Sequence, residues 1–330
     1  MRDYADACIR YLRATGLVSI SHVGRSISLE SERLEEVDYI LTKIDRQPGE
    51  FASLDGYLNY LGDAKTPTLL SDNKDWITKK IEKLFPDNKI ITTDKPLNTL
   101  KEILSISLTQ RKSNTIQAQI LAIKNFREYD DIQDLFKRIQ RDRNLYDAPL
   151  LLEWNVWRGM TMLNGGKIYP NLRFDDLGKP LSTAQGNKPD IVCDYETFLL
   201  AVEVTMASGQ RQYEMEGESI SRHLGKLRQS TEKPAYCLFI APTIHPSCIA
   251  HFFVLHRVYV SAYGGTSSIV PLLLALFVKM LDVARQASYS PNSSHILQFL
   301  EYSRQQALAS CNELAWFDAV QQKATNWLAQ

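Results

Sequence analysis

Apolar and polar positions in the first part of the chain repeat mostly at helical spacing. The pattern predicts helices at residues 2–14 and at about 30–44, 50–62, 73–85 and 96–124. Between the first two helices, residues 16–29 predict two short strands around a turn at Gly24. A helix followed by a hairpin favours the end of a winged-helix module. A plain helix and hairpin that pack together account for the same pattern.

The pattern changes after Pro149. Residues 151–163 predict an aromatic-rich helix, and residues 175–188 predict a polar loop. The apolar run 269–281 is too short to span a bilayer and predicts a buried helix. The remaining elements are strands at 165–174, 189–195, 198–205, 235–242 and 267–272, and closing helices at about 294–308 and 310–328.

Two regions follow from this difference in pattern. Strands and helices mix in residues 146–330, so we expect an α/β domain with a mixed sheet there. Residues 1–145 are expected to form a mostly helical connector region, partly like a winged helix.

Composition narrows the class of protein only slightly. The chain of 330 residues carries 38 basic and 38 acidic side chains, so its formal net charge is zero. Any contact with nucleic acid must therefore come from local basic clusters. The five cysteines are dispersed without a CxxC pair, which argues against a zinc site or a disulfide framework. With no signal peptide expected at the charged start of the chain, reduced thiols and a cytoplasmic location fit best.

Two acids flank the hairpin predicted at residues 189–205. Asp190 opens its first strand, and Glu203 lies thirteen positions later in the apolar run of the second. The ends of a hairpin meet, so both carboxylates can lie at one edge of the sheet. An acid within an apolar run is costly to bury unless it is paired or bound to metal. Two converging carboxylates suit magnesium. The alternative is a turn cap at Asp190 and an arginine pair at Glu203.

Residues 214–227 place a dense cluster of charge beside this hairpin. On a helix, Glu216 and His223 are seven positions apart and Glu218 and Arg222 are four apart, so each pair shares a face. A solvated helix face accounts for the cluster as well as a site does. A second basic cluster has two similar explanations, a solvated face or contact with DNA phosphates, and comprises Lys137, Arg138, Arg141 and Arg143.

At these residues the sequence resembles the AlwI-type restriction endonucleases, a group that includes the PleI, MlyI and BstNBI enzymes and related strand-specific nicking endonucleases. The resemblance extends over nearly the whole chain and is strongest at 150–245. The segments that carry it are RDYADACIRYLRATGLV (2–18), LLEWNVWRGM (151–160), GNKPD (186–190), VEVT (202–205), QYEMEGESISRH (212–223) and YCLFIAP (236–242).

This resemblance implies a magnesium-dependent DNA endonuclease with a mixed-sheet PD-(D/E)xK nuclease core flanked by helices. It implies that Asp190 and Glu203 bind the metal. The full set of catalytic residues that it implies is Asp190, Glu203, Glu216, His223 and Glu153.

Many nucleases of this type carry a lysine two positions after the second acid, where this chain has Thr205. Another group must then orient the attacking water or offset the charge of the phosphate. The candidates for that role are Lys226, Arg222 and His223. The residues expected to contact DNA are Arg222, Lys226, Lys188 and Arg211.

Nicking enzymes of the group are longer than this chain and carry an N-terminal DNA-recognition half. The chain is therefore expected to be a fragment or a natural subunit. Its expected partners are double-stranded DNA and a separate DNA-recognition module or a second nuclease subunit, with no membrane. The alternative function is a non-catalytic DNA-binding or connector subunit with a decayed nuclease fold, and the persistence of both acids favours the enzyme.

Overall fold

The computed structural model describes most of the chain. It does not describe residues 1–7, 9–10, 13–14, 21–26, 46, 48, 64–65, 85–93, 143–144, 146, 164, 176, 184–186, 288, 290 and 329–330. The chain divides into two compact units. One comprises residues 1–117 with 174–181, and the other comprises 118–173 with 182–330.

The first unit is mostly helical. Its strands β1 (Val18–Ile20) and β2 (Ile27–Leu29) pair antiparallel, as the alternating pattern predicted. The helices that follow are α1 (Leu34–Lys43), α2 (Leu54–Gly62), α3 (Lys74–Leu84) and α4 (Leu97–Lys124), whose range contains the boundary between the units. The turn predicted at Gly24 and most of the helix predicted at 2–14 lie outside the described residues.

The core of the first unit joins α3 to the start of α4. Ile77, Ile81 and Leu84 recur at helical spacing on α3 and pack with Leu100 and Leu104 of α4. Burial of this stripe, more than helix propensity, stabilises α3 and the start of α4.

The second unit is a mixed α/β structure with helices packed on a sheet. Its helices are α5 (Tyr129–Arg141), α6 (Ala148–Leu163), α7 (Gln210–Gln229), α8 (Pro246–Leu255), α9 (Leu274–Gln286), α10 (Ser293–Ala309) and α11 (Glu313–Thr325). Its main sheet contains β3 (Lys167–Pro170), β6 (Ile191–Asp194), β7 (Leu199–Val204), β8 (Ala235–Ala241) and β9 (Ile269–Leu273).

The main sheet has the strand order β3-β6-β7-β8-β9. β3 and β6 pair antiparallel, as do β6 and β7, while β8 runs parallel to both β7 and β9. Every residue of β7 and β8 is buried, which explains their unbroken apolar runs. The sheet is therefore mixed, and the prediction of a mixed α/β fold is confirmed.

Three local predictions are corrected by the structure. The predicted loop 175–188 contains the short strand β5 (Pro180–Thr183), whose apolar run is too brief to predict a strand. The strand predicted at 165–174 is two, because β3 belongs to the main sheet and β4 (Leu172–Phe174) belongs to a separate two-stranded sheet. The apolar run 269–281, predicted as a buried helix, begins as strand β9, which matches the strand predicted at 267–272, and only then becomes helical.

No helix in the described part of the chain combines the length and apolar character that a membrane crossing requires.

Candidate active site

The hairpin of β6 and β7 brings Asp190 and Glu203 to one edge of the sheet. Ile191 pairs with Val202, so Asp190, just before β6, lies beside the end of β7. The backbone N–H of Val204 donates to Asp190 Oδ2 at 2.8 Å and fastens the two strand ends together. Glu203 lies in β7 next to Phe239 of β8, and only 5% of its surface is exposed. The register of the two strands therefore brings the two acids together, as expected from the hairpin.

Helix α7 begins at the same edge and contributes Glu216 and His223. It starts after Gly209, whose φ of +63° lies in the left-handed region that glycine tolerates best. The side chain of Thr205, which follows β7, lies beside Glu216 and lowers the pKa of its carboxyl, although burial leaves that pKa raised overall. His223 Nδ1 lies 2.8 Å from Glu203 Oε1. Two turns of one helix thus face the end of β7, as the seven-residue spacing predicted.

Glu153 completes the cluster from helix α6. This helix packs against β3 and β7, which puts its second turn behind the acids of the sheet edge. Glu153 Oε2 is buried and has no hydrogen-bond partner among the residues that the structure describes. A buried carboxylate oxygen without a partner is costly unless the acid is protonated or a cation is bound there.

Burial raises the pKa of every acid in this cluster, and repulsion by neighbouring acids raises it further for Glu153, Asp190 and Glu203. Burial, followed by the charge of Asp190, raises the pKa of Glu153 to about 9. Burial, followed by the charge of Glu203, raises the pKa of Asp190 well above its usual value, and the N–H of Val204 offsets only part of this. Burial and the charge of Glu216 do the same to the pKa of Glu203. Four carboxylates in one place favour a bound cation.

His223 is held in a state suited to accept a proton. Burial and the nearby charges of Arg222 and Lys226 lower the pKa of its imidazole, which favours the neutral ring. When Glu203 is ionised, the proton of their 2.8 Å contact lies on Nδ1. The other ring nitrogen, Nε2, is then the basic one. Among the three groups considered for the role of the missing lysine, His223 is the one that touches an acid of the cluster.

The four acids have no lysine or arginine partner within salt-bridge distance in the described part of the chain. The ion pair found at these acids is the contact of His223 with Glu203. Within the same residues, no three histidine, cysteine or acidic side chains form a ready-made metal cage. Magnesium does not require one, because it keeps several waters and takes one or two carboxylates. The carboxylate oxygens of Asp190 and Glu203 suit magnesium, because they are oxygen donors whose negative charge is not neutralised by a salt bridge to lysine or arginine among the described residues.

The residues expected to contact DNA are placed unevenly. Arg222 donates to Glu218 at 3.2 Å and to Asn187 Oδ1, so its guanidinium bridges α7 to the segment before β6. Lys226, Lys188 and Arg211 are exposed. Of the second basic cluster, Lys137, Arg138 and Arg141 lie on α5, and Arg143 lies outside the described residues.

Reasoning from sequence did not identify three residues that shape this site. Gln212 is fully buried and bonds three backbone groups. Asn187 accepts from Arg222, and Asp147 adds negative charge near Glu153. Only Gln212 and Asn187 fall inside segments that carried the resemblance, and neither residue type signals such a role by itself.

Comparison with known proteins adds to this geometry. The sequence model of the AlwI restriction endonuclease family matches residues 1–280. The small subunit of the heterodimeric restriction endonuclease R.BspD6I, a solved structure, is 24% identical with a TM-score of 0.47, and the match covers 60% of this chain and 95% of that one. No curated protein matches the chain.

Proposed function

Because the chain belongs to the AlwI restriction endonuclease family, we propose that it is a magnesium-dependent DNA endonuclease and that the cluster of Glu153, Asp190, Glu203 and Glu216 is its active site. The observation that carries the proposal is the cluster itself. Burial raises the pKa of all four carboxylates, and the charges of neighbouring acids raise it further for Glu153, Asp190 and Glu203. Among the described residues, none of the four forms a salt bridge with a lysine or arginine. Structural acids are normally paired, and uncompensated ones gather at functional sites.

Each residue of the cluster has a part in phosphodiester hydrolysis. Asp190 and Glu203 would hold the ion, with Glu216 and Glu153 completing the negative surface around it. Magnesium, when bound, supplies water of lowered pKa and offsets charge on the scissile phosphate. Water attacks phosphorus, and its proton passes to Nε2 of His223. The bond from phosphorus to the 3′ oxygen breaks, and that oxygen takes up a proton from a second water molecule. The products are a 3′-hydroxyl and a 5′-phosphate end.

The fold of the site supports a finer assignment. β6, β7 and the start of α7 would form the PD-(D/E)xK core of a catalytic domain at residues 146–330. Residues 1–145 would form a connector region, with β1 and β2 as the wing of a winged helix. Double-stranded DNA would be the substrate, and the activity would be cytoplasmic. One cluster cuts one strand at a time, so cutting both strands requires a second copy or a partner subunit.

A matched pair of variants on α7 tests the proposed activity. Glu216→Gln removes a charge that bears on all three other acids, whereas Glu214→Gln removes an exposed charge two positions earlier. We expect Glu216→Gln to slow magnesium-dependent nicking of supercoiled plasmid by about 10-fold or more. Glu214→Gln is expected to nick at the wild-type rate, with conversion to open-circle DNA followed on agarose gels.

Two outcomes would count against the endonuclease. Equal nicking by both variants means that the activity comes from elsewhere in the molecule or the preparation. Absence of nicking by the wild type, alone and with a supplied recognition module or partner subunit, favours the alternative of a non-catalytic subunit with a decayed nuclease fold.

A second pair of variants separates the two basic clusters. Lys226→Ala is expected to weaken binding of duplex DNA similarly for all sequences and to reduce the slope of log K against log salt by about 0.9. Lys137→Ala is expected to change neither, because Lys137 lies 3.0 Å from Asp134 on a charged face of α5. Fluorescence anisotropy across a salt titration measures both slopes. If Lys137→Ala weakens binding and Lys226→Ala does not, the residues that contact DNA lie on α5 instead.

A further inference from the structure

Gln212 lies at the start of α7, one turn before Glu216, and its side chain is fully buried. Its amide group is fully used. Nε2 donates to the carbonyl of Ala207 at 2.9 Å and to the carbonyl of Thr243 at 2.8 Å, while Oε1 accepts from the backbone N–H of His245 at 2.7 Å. All three partners are backbone groups, and a glutamine amide has the two donors and the acceptor that they need.

These three bonds join the segments that leave two neighbouring parallel strands. Ala207 follows β7, the strand of Glu203, and Thr243 with His245 follows β8. The segment after β7 is fixed at two more points, since the N–H of Thr205 donates to Ile240 at 3.2 Å and the N–H of Ala207 donates to the hydroxyl of Thr205 at 3.0 Å. Thr205 in turn lies beside Glu216.

We propose that Gln212 is a positioning residue of the active site, which locks the first turn of α7 to the ends of β7 and β8 and thereby aims Glu216 and His223 at Glu203. This inference rests on the proposed function. In the described part of the chain, the side chain of Gln212 hydrogen-bonds backbone groups and none of the four acids, so it acts through the backbone that carries them. Loss of a group that orients metal-binding residues in this way typically lowers metal affinity or activity by about 10–100-fold.

The test compares Gln212→Met with Gln229→Met. Methionine keeps the length of glutamine but forms none of the three bonds, and Gln229 is an exposed glutamine at the last position of the same helix. For Gln212→Met, at a temperature where both variants are folded, we expect kcat for plasmid nicking to fall about 10-fold or more and KM for DNA to stay unchanged. A residue that only stabilised the fold would leave kcat of the folded protein unaltered.

A second measurement does not depend on activity. Amide hydrogen exchange of residues 206–215 and 243–245 in the metal-free protein should accelerate in Gln212→Met and not in Gln229→Met. Faster exchange with reduced kcat supports the proposal. Unchanged exchange, or kcat within twofold of the wild type, overturns it. If the wild type itself does not nick DNA, the proposed function fails, and exchange alone decides whether Gln212 locks the two strand ends.

Discussion

Replacing Asp190 with asparagine is expected to lower the rate of magnesium-dependent DNA cleavage by about 10²-fold or more while the protein stays folded. Asparagine keeps an oxygen that can accept from the N–H of Val204, which now donates to Asp190 at 2.8 Å. The two strand ends therefore remain joined. What disappears is one negative charge of the proposed metal site, so the loss falls on catalysis and not on folding.

The same variant should show how much the acid cluster lowers the stability of the metal-free protein. Asp190 is the charge that most strongly raises the pKa of Glu153, after burial. Its removal relieves repulsion, and we expect the metal-free protein to be at least as stable as the wild type near neutral pH. Magnesium should raise the melting temperature of the wild type but not that of Asp190→Asn, because only a folded protein that binds the ion gains stability from it.

Asp194→Asn is the matched control, since Asp194 lies at the far end of β6 and pairs with Lys233 at 2.7 Å. We expect it to cleave DNA at nearly the wild-type rate, measured by conversion of supercoiled plasmid with magnesium and with EDTA. If Asp190→Asn cleaves like Asp194→Asn, the cluster is not the active site. If magnesium stabilises both variants equally, the ion binds elsewhere.

The sheet edge could be predicted because local rules fix it. A short turn between two apolar strands sets the register of a hairpin, and the register alone brings Asp190 to the end of β7. Glu203 is conspicuous in sequence because it interrupts a run of apolar residues. The face shared by Glu216 and His223 follows from helical periodicity. None of these steps requires knowledge of distant contacts.

Other parts of the site depend on packing between distant segments. Glu153 lies 37 positions before Asp190, and the residues alone gave no reason to select it, so only the family resemblance did so. Its place beside the sheet edge follows from the packing of α6 on β3 and β7. Gln212 is one polar residue among many in its segment, and its burial depends on the positions of the segments that follow β7 and β8. Short-range patterns carry no information about such contacts.

The position of α6 in turn depends on a buried arginine. Arg158 lies on α6 with 2% of its side chain exposed, and its guanidinium pairs with Glu128 at 2.8 Å and with Asp131. It also donates to Asn155 Oδ1 at 3.1 Å and lies 4.4 Å from the ring centre of Trp154. These contacts tie α6 to the first turns of α5. Arginine is almost never fully buried unless it is paired. Because the sequence does not reveal these partners, no periodic pattern identifies Arg158 as a buried residue.

Arg158→Ala is expected to lower the free energy of unfolding by about 3 kcal/mol. Losing one partner of a buried pair costs most when the remaining charge stays buried. Here the carboxylates are partly hydrated, with exposures of 26% for Glu128 and 69% for Asp131. The loss of stability should therefore fall near the lower end of the values typical for a broken buried ion pair. Lost packing against Trp154 adds to it. Urea denaturation followed by circular dichroism measures the change.

Lys137→Ala provides the contrast on α5. Its pair with Asp134 is exposed on both sides, at 60% and 72%, and such pairs contribute about 0–1 kcal/mol. If both variants lose the same small amount, the contacts of Arg158 do not hold α5 and α6 together. If Arg158→Ala alone is destabilised, its nicking rate then tests the link to the site. Displacement of Glu153 with α6 should slow cleavage even where the variant is fully folded, because small shifts of a catalytic group are costly.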